Sequence, residues 1–197
     1  MNFAGELPIR LVISVVLIIG AYQFYFWCQR HPIFTPRVWH FAIDERIAYR
    51  PGWSWIYSLL YYPAILLLNY IAIDAAHFVY MAFSFLLLLL AQMAFFMFFP
   101  VETPAHWRAM NAGKTMSERF LLYVQKFDAP SNCFPSMHVS VAMLAALHAM
   151  PVLGQWAYAF PVLITVSCVF TKQHYLIDLP AGAALGWGIF EIFEWMY

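Results

Sequence analysis

Asn132-Cys133-Phe134-Pro135-Ser136-Met137-His138 stands at the mouth of an apolar run over 139–153. After Pro151 and Gly154 a second run covers 155–169, and Lys172-Gln173-His174 and then Asp178 follow it. Each run is short for a membrane crossing, which takes about 20 apolar residues. The Pro/Gly break therefore predicts a tight hairpin of two helices. Parity makes this reading decisive. If the chain turns back near 154, His138 and His174 lie on one face of a membrane. If 139–169 were a single span, they would lie on opposite faces and could not share a site.

Of the 197 residues, 64% are apolar, 20% aromatic and 10% charged, with a mean hydropathy of +0.70. Soluble domains carry about 25% charged residues, so a soluble chain of this length could not hide this much hydrocarbon. An all-α integral membrane protein is expected, with 1–197 forming a single membrane domain. The formal net charge is zero, which leaves no global field to recruit nucleic acid. Membrane lipids are the expected partners. Cys28, Cys133 and Cys168 show no metal-ligand spacing and read as apolar filler.

The expected spans are 9–28, 54–73, 78–99, 137–153, 155–171 and 175–197, making a six-helix bundle. Residues 29–53 are polar and proline-punctuated, and 38–47 mixes aromatic and charged residues as a short interfacial helix does. Asp44 reads as a helix cap there. Trp53, Trp55, Tyr57, Tyr61 and Tyr62 read as an aromatic belt at the headgroup level. Residues 100–135 are the longest polar stretch, and structureless loops of that length are uncommon. A short helix is expected over 117–126, capped by Ser117. Gly182 and Gly186, four apart, suit close approach of two membrane helices.

Ionisable side chains bordering a membrane segment are costly and are read first as functional. His174 and Asp178 are four apart, so one helical face presents both. A carboxylate on one ring nitrogen fixes the tautomer and leaves the other nitrogen free to attack. Pro135 at a helix start leaves the following amides free. With the Ser136 hydroxyl they offer an anion site at the positive end of the helix dipole, and His138 sits in the same turn. His31, His40, His77 and His148 are read as having no chemical role.

Cys133-Phe134-Pro135-Ser136-Met137-His138 and Thr171-Lys172-Gln173-His174-Tyr175-Leu176-Ile177-Asp178 together resemble the phosphatidic acid phosphatase type 2 superfamily. Its usual motifs are K-x6-R-P, P-S-G-H and S-R-x5-H-x3-D. The bulky residue between Ser and His, and T-K-Q-H before the aspartate, look closer to the branch containing inositol phosphorylceramide synthases. The resemblance runs over 43–186. It implies a six-helix bundle and a reaction through a phosphohistidine that needs no metal or other cofactor. On that resemblance His174 attacks phosphorus, Asp178 orients it, His138 protonates the leaving oxygen, and Ser136 helps hold the phosphoryl oxygens.

The departures from the pattern bear on substrate binding. Met137 stands where the family has glycine, which hinders close backbone approach to a phosphate. Cys168 stands where the third motif has arginine, but Thr171-Lys172 repeats a hydroxyl–cation pair one turn on. Lys172 is therefore expected to substitute, as a point charge rather than a bidentate fork. No K-x6-R-P occurs, and of His106, Arg108, Lys114 and Arg119 the expected first-motif cation is Arg108.

The expected substrate is a lipid phosphate. If water attacks the phosphohistidine, the chain is a phosphatase for a lipid phosphate monoester or pyrophosphate, which is the first expectation. If a lipid or alcohol hydroxyl attacks, it is a phosphotransferase. A non-catalytic lipid-binding or lipid-moving protein on the same scaffold is the third reading. Of ten Lys and Arg, nine fall on the site's face and only Arg10 lies opposite, which argues for a cytoplasmic site. The family resemblance argues for the extracytoplasmic face of a plasma or inner membrane, and that is the expectation adopted.

Overall fold

α1 (Phe3–Arg30) carries Glu6 in its first turn and Arg30 in its last, where the helix dipole favours each sign. The computed structural model describes residues 3–196, with side chains from residue 6 onward. A two-residue strand, β1 (Arg37–Val38), and a short helix, α2 (Ala42–Arg46), follow α1. The interfacial helix expected over 38–47 is thus confined to its second half. A 3-10 turn (Pro51–Trp53) leads into α3 (Ser54–Leu59) and α4 (Tyr61–Ile71). The two part because Pro63 has no N–H to return to the Leu59 carbonyl.

Asp74 caps α5 (Ala75–Phe98), its carboxylate accepting the His77 amide at 2.8 Å. β2 (Val101–Glu102) pairs in parallel with β1, Arg37 opposite Val101, and joins the first and third loops. Beyond it lie α6 (Ala105–Ala109) and α7 (Met116–Gln125). The cap of α7 is Thr115, in a capping box with Glu118. Ser117, expected in that role, instead accepts the Trp55 indole N–H at 3.0 Å.

α8 (Met137–Leu153) stops at Gly154, whose φ of 55° and ψ of −148° suit almost nothing but glycine. A 3-10 turn (Gly154–Tyr158) and α9 (Ala159–Phe170) bring the chain back, and α10 (Asp178–Met196) completes the bundle. The apolar stretch Met137–Phe170 is therefore folded in two.

Among the described residues six rods result: α1, α3–α4, α5, α8, α9 and α10. α8 is the central one, buried along nearly all of 139–149, with α10, α9, α4 and α5 packed round it. Among neighbours as apolar as lipid, close packing holds helices together better than transfer from water does. Gly182 and Gly186 of α10 lie so near the carbonyls of Ser136 and Ser140 that a Cβ at either would collide with them. The outward faces are apolar, with Val12, Val16, Phe83, Val162 and Trp195 all exposed. Glu6–Arg30 and Ala75–Phe98 are each long and apolar enough to cross a membrane, and Met137–Phe170 has the same apolar character along its two folded halves.

Candidate active site

Two segments meet where α8 and α10 begin. Ser136 is the N-cap of α8, its hydroxyl accepting the Val139 amide at 3.4 Å. Its own amide donates to the Asp178 carbonyl at 3.0 Å, so the first turns of the two helices are clasped backbone to backbone. Gln92 of α5 donates to the Pro135 carbonyl at 2.5 Å and accepts the Ser140 hydroxyl at 3.1 Å, pinning the segment from below. The Ser136 hydroxyl thus accepts as a cap, and the residue is fully buried.

The second segment is the turn after α9. The Lys172 amide reaches the Val169 carbonyl and the Gln173 amide the Cys168 carbonyl, each at 3.2 Å. These paired bonds form a Schellman end, with Lys172 in the left-handed position (φ 57°) where glycine is usual. The Lys172 ammonium donates to the Asp44 carbonyl and lies 4.9 Å from the centre of the Trp107 ring. Burial lowers its pKa, against the pull of Glu45 and Asp44. Asp44 does not cap α2: the N-cap there is Phe41, and the buried Asp44 carboxylate accepts the Leu176 amide at 2.9 Å. The first loop is thereby tied to the turn that carries His174.

His138 and His174 face each other with ring centres 5.6 Å apart. His174 is buried, and its Nδ1 lies 3.0 Å from the Cys133 carbonyl and 3.4 Å from Asp178 Oδ2. Both neighbours are acceptors, so Nδ1 carries the proton and Nε2 keeps a free lone pair. Asp178 Oδ2 also accepts the Tyr175 amide at 2.8 Å, while its Oδ1 is buried without a partner. His138 stacks on Tyr57 at 4.2 Å and meets the edge of Tyr61 at 5.3 Å. The Tyr61 hydroxyl lies 2.9 Å from the Met137 carbonyl and 2.8 Å from that of His138, fixing the first turn of α8.

His174, Arg108, Asn132, Thr103, Gln173 and Asp128 line a small polar pocket of about 10 Å³, room for roughly one water. Arg108 gives two N–H groups to the Gln125 and Asp128 carbonyls, at 3.3 and 2.8 Å. Its Nε and the Asn132 Nδ2 are buried with no partner. Buried donors left unpaired are uncommon and costly. Two such donors, on residues that line one pocket with His174, suit the oxygens of an anion. Lys172, expected as the replacement cation, has no part in this lining, whereas Arg108 has.

Cys133, His174 and Asp178 each offer one ligand atom within 4.8 Å of the others. A soft divalent ion could use that set only with Cys133 as thiolate. Burial, reinforced by Asp178 and Asp128, pushes this thiol well above its ordinary value and opposes that form.

A second, much larger cavity of about 470 Å³ lies between α1, α4 and α5 and reaches Met137 and His138. Tyr25, Tyr57 and Asp128 border both cavities. Asp128 Oδ1 accepts the Tyr25 hydroxyl at 2.9 Å and the Gln29 amide at 2.6 Å. Burial raises its pKa, against Gln29, Tyr25, Arg108 and His174, which lower it.

The structure thus brings together His138, His174, Asp178, Arg108 and, beneath them, Ser136, with the Met137 side chain lining the apolar side. Sequence reasoning missed Asn132, Asp128 and the Tyr57–Tyr61 pair. For the tyrosines a signal existed: they are four apart, so one helical face presents both. Nothing local marks Asp128, whose partners Tyr25 and Gln29 are about a hundred positions away.

Comparison with curated proteins and comparison with solved structures each gave no match. The family profile of the PAP2 superfamily matches residues 28–192, from the end of α1 to the last turns of α10. A match over that share of the chain, on a helical membrane scaffold, makes this protein a member of the PAP2 superfamily of lipid phosphatases and phosphotransferases.

Proposed function

We propose that the protein hydrolyses the phosphate ester of a membrane lipid through a phosphohistidine, without a metal. The observation that carries this reading is the His138–His174 pair, with Nδ1 of His174 held by two acceptors and Nε2 left free. Nε2 attacks phosphorus, and the bond from phosphorus to the lipid oxygen breaks. His138 gives that oxygen its proton, releasing the lipid alcohol. As the P–N bond forms, the His174 ring gains positive charge, which Asp178 balances. Water then transfers a proton to His138 and attacks the phosphohistidine, releasing phosphate and restoring His174. The Tyr57 face supports a charged His138 by cation–π attraction. Arg108 Nε and Asn132 Nδ2 meet phosphoryl oxygens, which suits a transfer that needs mostly positioning and positive charge.

Transfer to a lipid or alcohol hydroxyl is the second reading. The cavity of about 470 Å³ that reaches His138 favours it, since it has room for the chain of an acceptor lipid beside the site. Purified protein incubated with labelled lipid phosphate, with and without an alcohol, separates the two. Free phosphate as the main product in both cases supports hydrolysis, and a phosphate monoester of the added alcohol that replaces it supports transfer. We place the site on the extracytoplasmic face, as the family resemblance implies and against the charge count. All three cysteines are buried, so Lys114→Cys reports alone to an impermeant thiol reagent. Labelling of intact cells is expected, and labelling only after lysis contradicts that assignment.

A further inference from the structure

The large cavity begins at His138 and Asp128 and descends between three helices. On α1 it is lined by Ser14, Leu17, Ile18, Ala21, Tyr22 and Tyr25, positions that fall on one helical face. Its far end is polar. The Ser14 hydroxyl donates to the Asn69 side chain at 3.0 Å, and both residues are buried. One turn further, the Arg10 guanidinium donates to the Ala72 carbonyl at 3.3 Å. Ser14 and Tyr25 are eleven positions apart on α1, about 16 Å along its axis. A bilayer's hydrocarbon is about 30 Å thick, so the cavity has roughly the depth of one leaflet.

We propose that this cavity is a slot for one hydrocarbon chain of the lipid phosphate, running from the histidine pair to the Ser14–Asn69 floor. The inference rests on the phosphate reading of the site above. Its walls are apolar throughout their middle, and its mouth is the place where the reacting phosphate sits. A chain that fills one leaflet ends at the floor, where a satisfied polar pair gives it nothing to bind. The slot thus selects lipid phosphates with chains of ordinary leaflet length over long polyprenyl phosphates, whose chains exceed its depth.

Alkyl phosphonates of increasing chain length test this, because their carbon–phosphorus bond survives His174 and binding is read without turnover. With protein in nanodiscs, affinity is expected to rise with chain length to a break and then level off. Ala82, ten positions before Gln92 on α5, lines the slot near its floor. Ala82→Phe is expected to move the break to shorter chains. It should also weaken the longest chain accepted by wild type about ten-fold, the equivalent of a clash of about 1.4 kcal/mol. Ala21→Phe, nearer the mouth, moves the break further. Val16→Phe, on the exposed face of α1, leaves it unchanged. The leucine variants at 21 and 82 give the same order more mildly, should phenylalanine disturb folding. A break that stays put in every variant, or no break at all, overturns the slot and returns the chain to bulk lipid. A break without turnover of any phosphate ester keeps the slot and removes the proposed function.

Discussion

The polar pocket and the apolar cavity meet at Tyr25, Tyr57 and Asp128 but are built by different means. The pocket is made of loop backbone and helix starts. Its key atoms are set by local devices: the Ser136 cap, the Schellman end at Lys172, and the Cys133 carbonyl against His174 Nδ1. The cavity is made of helix faces that fail to close on one another, and no single short segment determines it. Chemistry therefore depends on a few positioned atoms, and lipid selection depends on the spacing of whole helices. Substitutions on the two sides should separate the rate of reaction from the choice of chain.

The largest effect belongs to the pocket: His174→Ala is expected to lower turnover by about 10⁴-fold or more at every chain length. His138→Gln should cost about 10²–10⁴-fold and abolish the limb of the pH profile that its protonation sets. A bell-shaped profile between pH 5 and 8 in wild type, with macroscopic values belonging to the pair, is the accompanying expectation. Next comes Asn132→Gly, which keeps the left-handed turn (φ 64°) and removes the unpaired amide. A loss of about 10²-fold in kcat/KM is expected, the usual cost of one oxyanion donor. A change confined to long-chain substrates would blur the division between the two regions.

Lys172→Gly removes a cation that lies outside the pocket. Glycine suits the φ of 57°, so the turn should form, and activity should fall far less than in the Asn132 variant. If Lys172→Gly is as damaging as Asn132→Gly, the ammonium serves the phosphate after all. The smallest effect is on stability. Burial raises the folded-state pKa of Asp128 above its unfolded value of about 3.9. Its contribution is therefore complete below that value and is lost as pH rises through the folded pKa. Asp128→Asn keeps an oxygen for Tyr25 and Gln29 and should melt slightly higher than wild type only above that range. An equal difference at all pH values would contradict the shift.

Much of the pocket could be read from sequence because its determinants are local. The hairpin was signalled by Pro151 and Gly154, the His174–Asp178 pair by its spacing, and the α8–α10 contact by Gly182 and Gly186. Of the two expected cations only Arg108 falls in the pocket lining. Lys172 resembled a hydroxyl–cation motif, yet helix termination fixes its backbone and Asp44 and Trp107 hold its side chain away from the pocket. Arg108 was named for its charge, while its place beside His174 depends on the Gln125 and Asp128 carbonyls. The belt tyrosines 57 and 61 looked interfacial, and only the packing of α3 and α4 against α8 turns them onto His138. Asp44 looked like a cap because caps are local, whereas its partner Leu176 is 132 positions away.

Covalent phosphorylation of His174 is the step on which the proposed reaction depends. Purified protein is mixed with a lipid phosphate radiolabelled at phosphorus, quenched in alkali within the first turnover, and digested. An acid-labile, alkali-stable label is expected on the peptide containing His174, present in wild type, lost in His174→Ala and accumulating when the water step is slowed. Turnover of the same lipid with no label on that peptide at any time, or label that persists in His174→Ala, would contradict it.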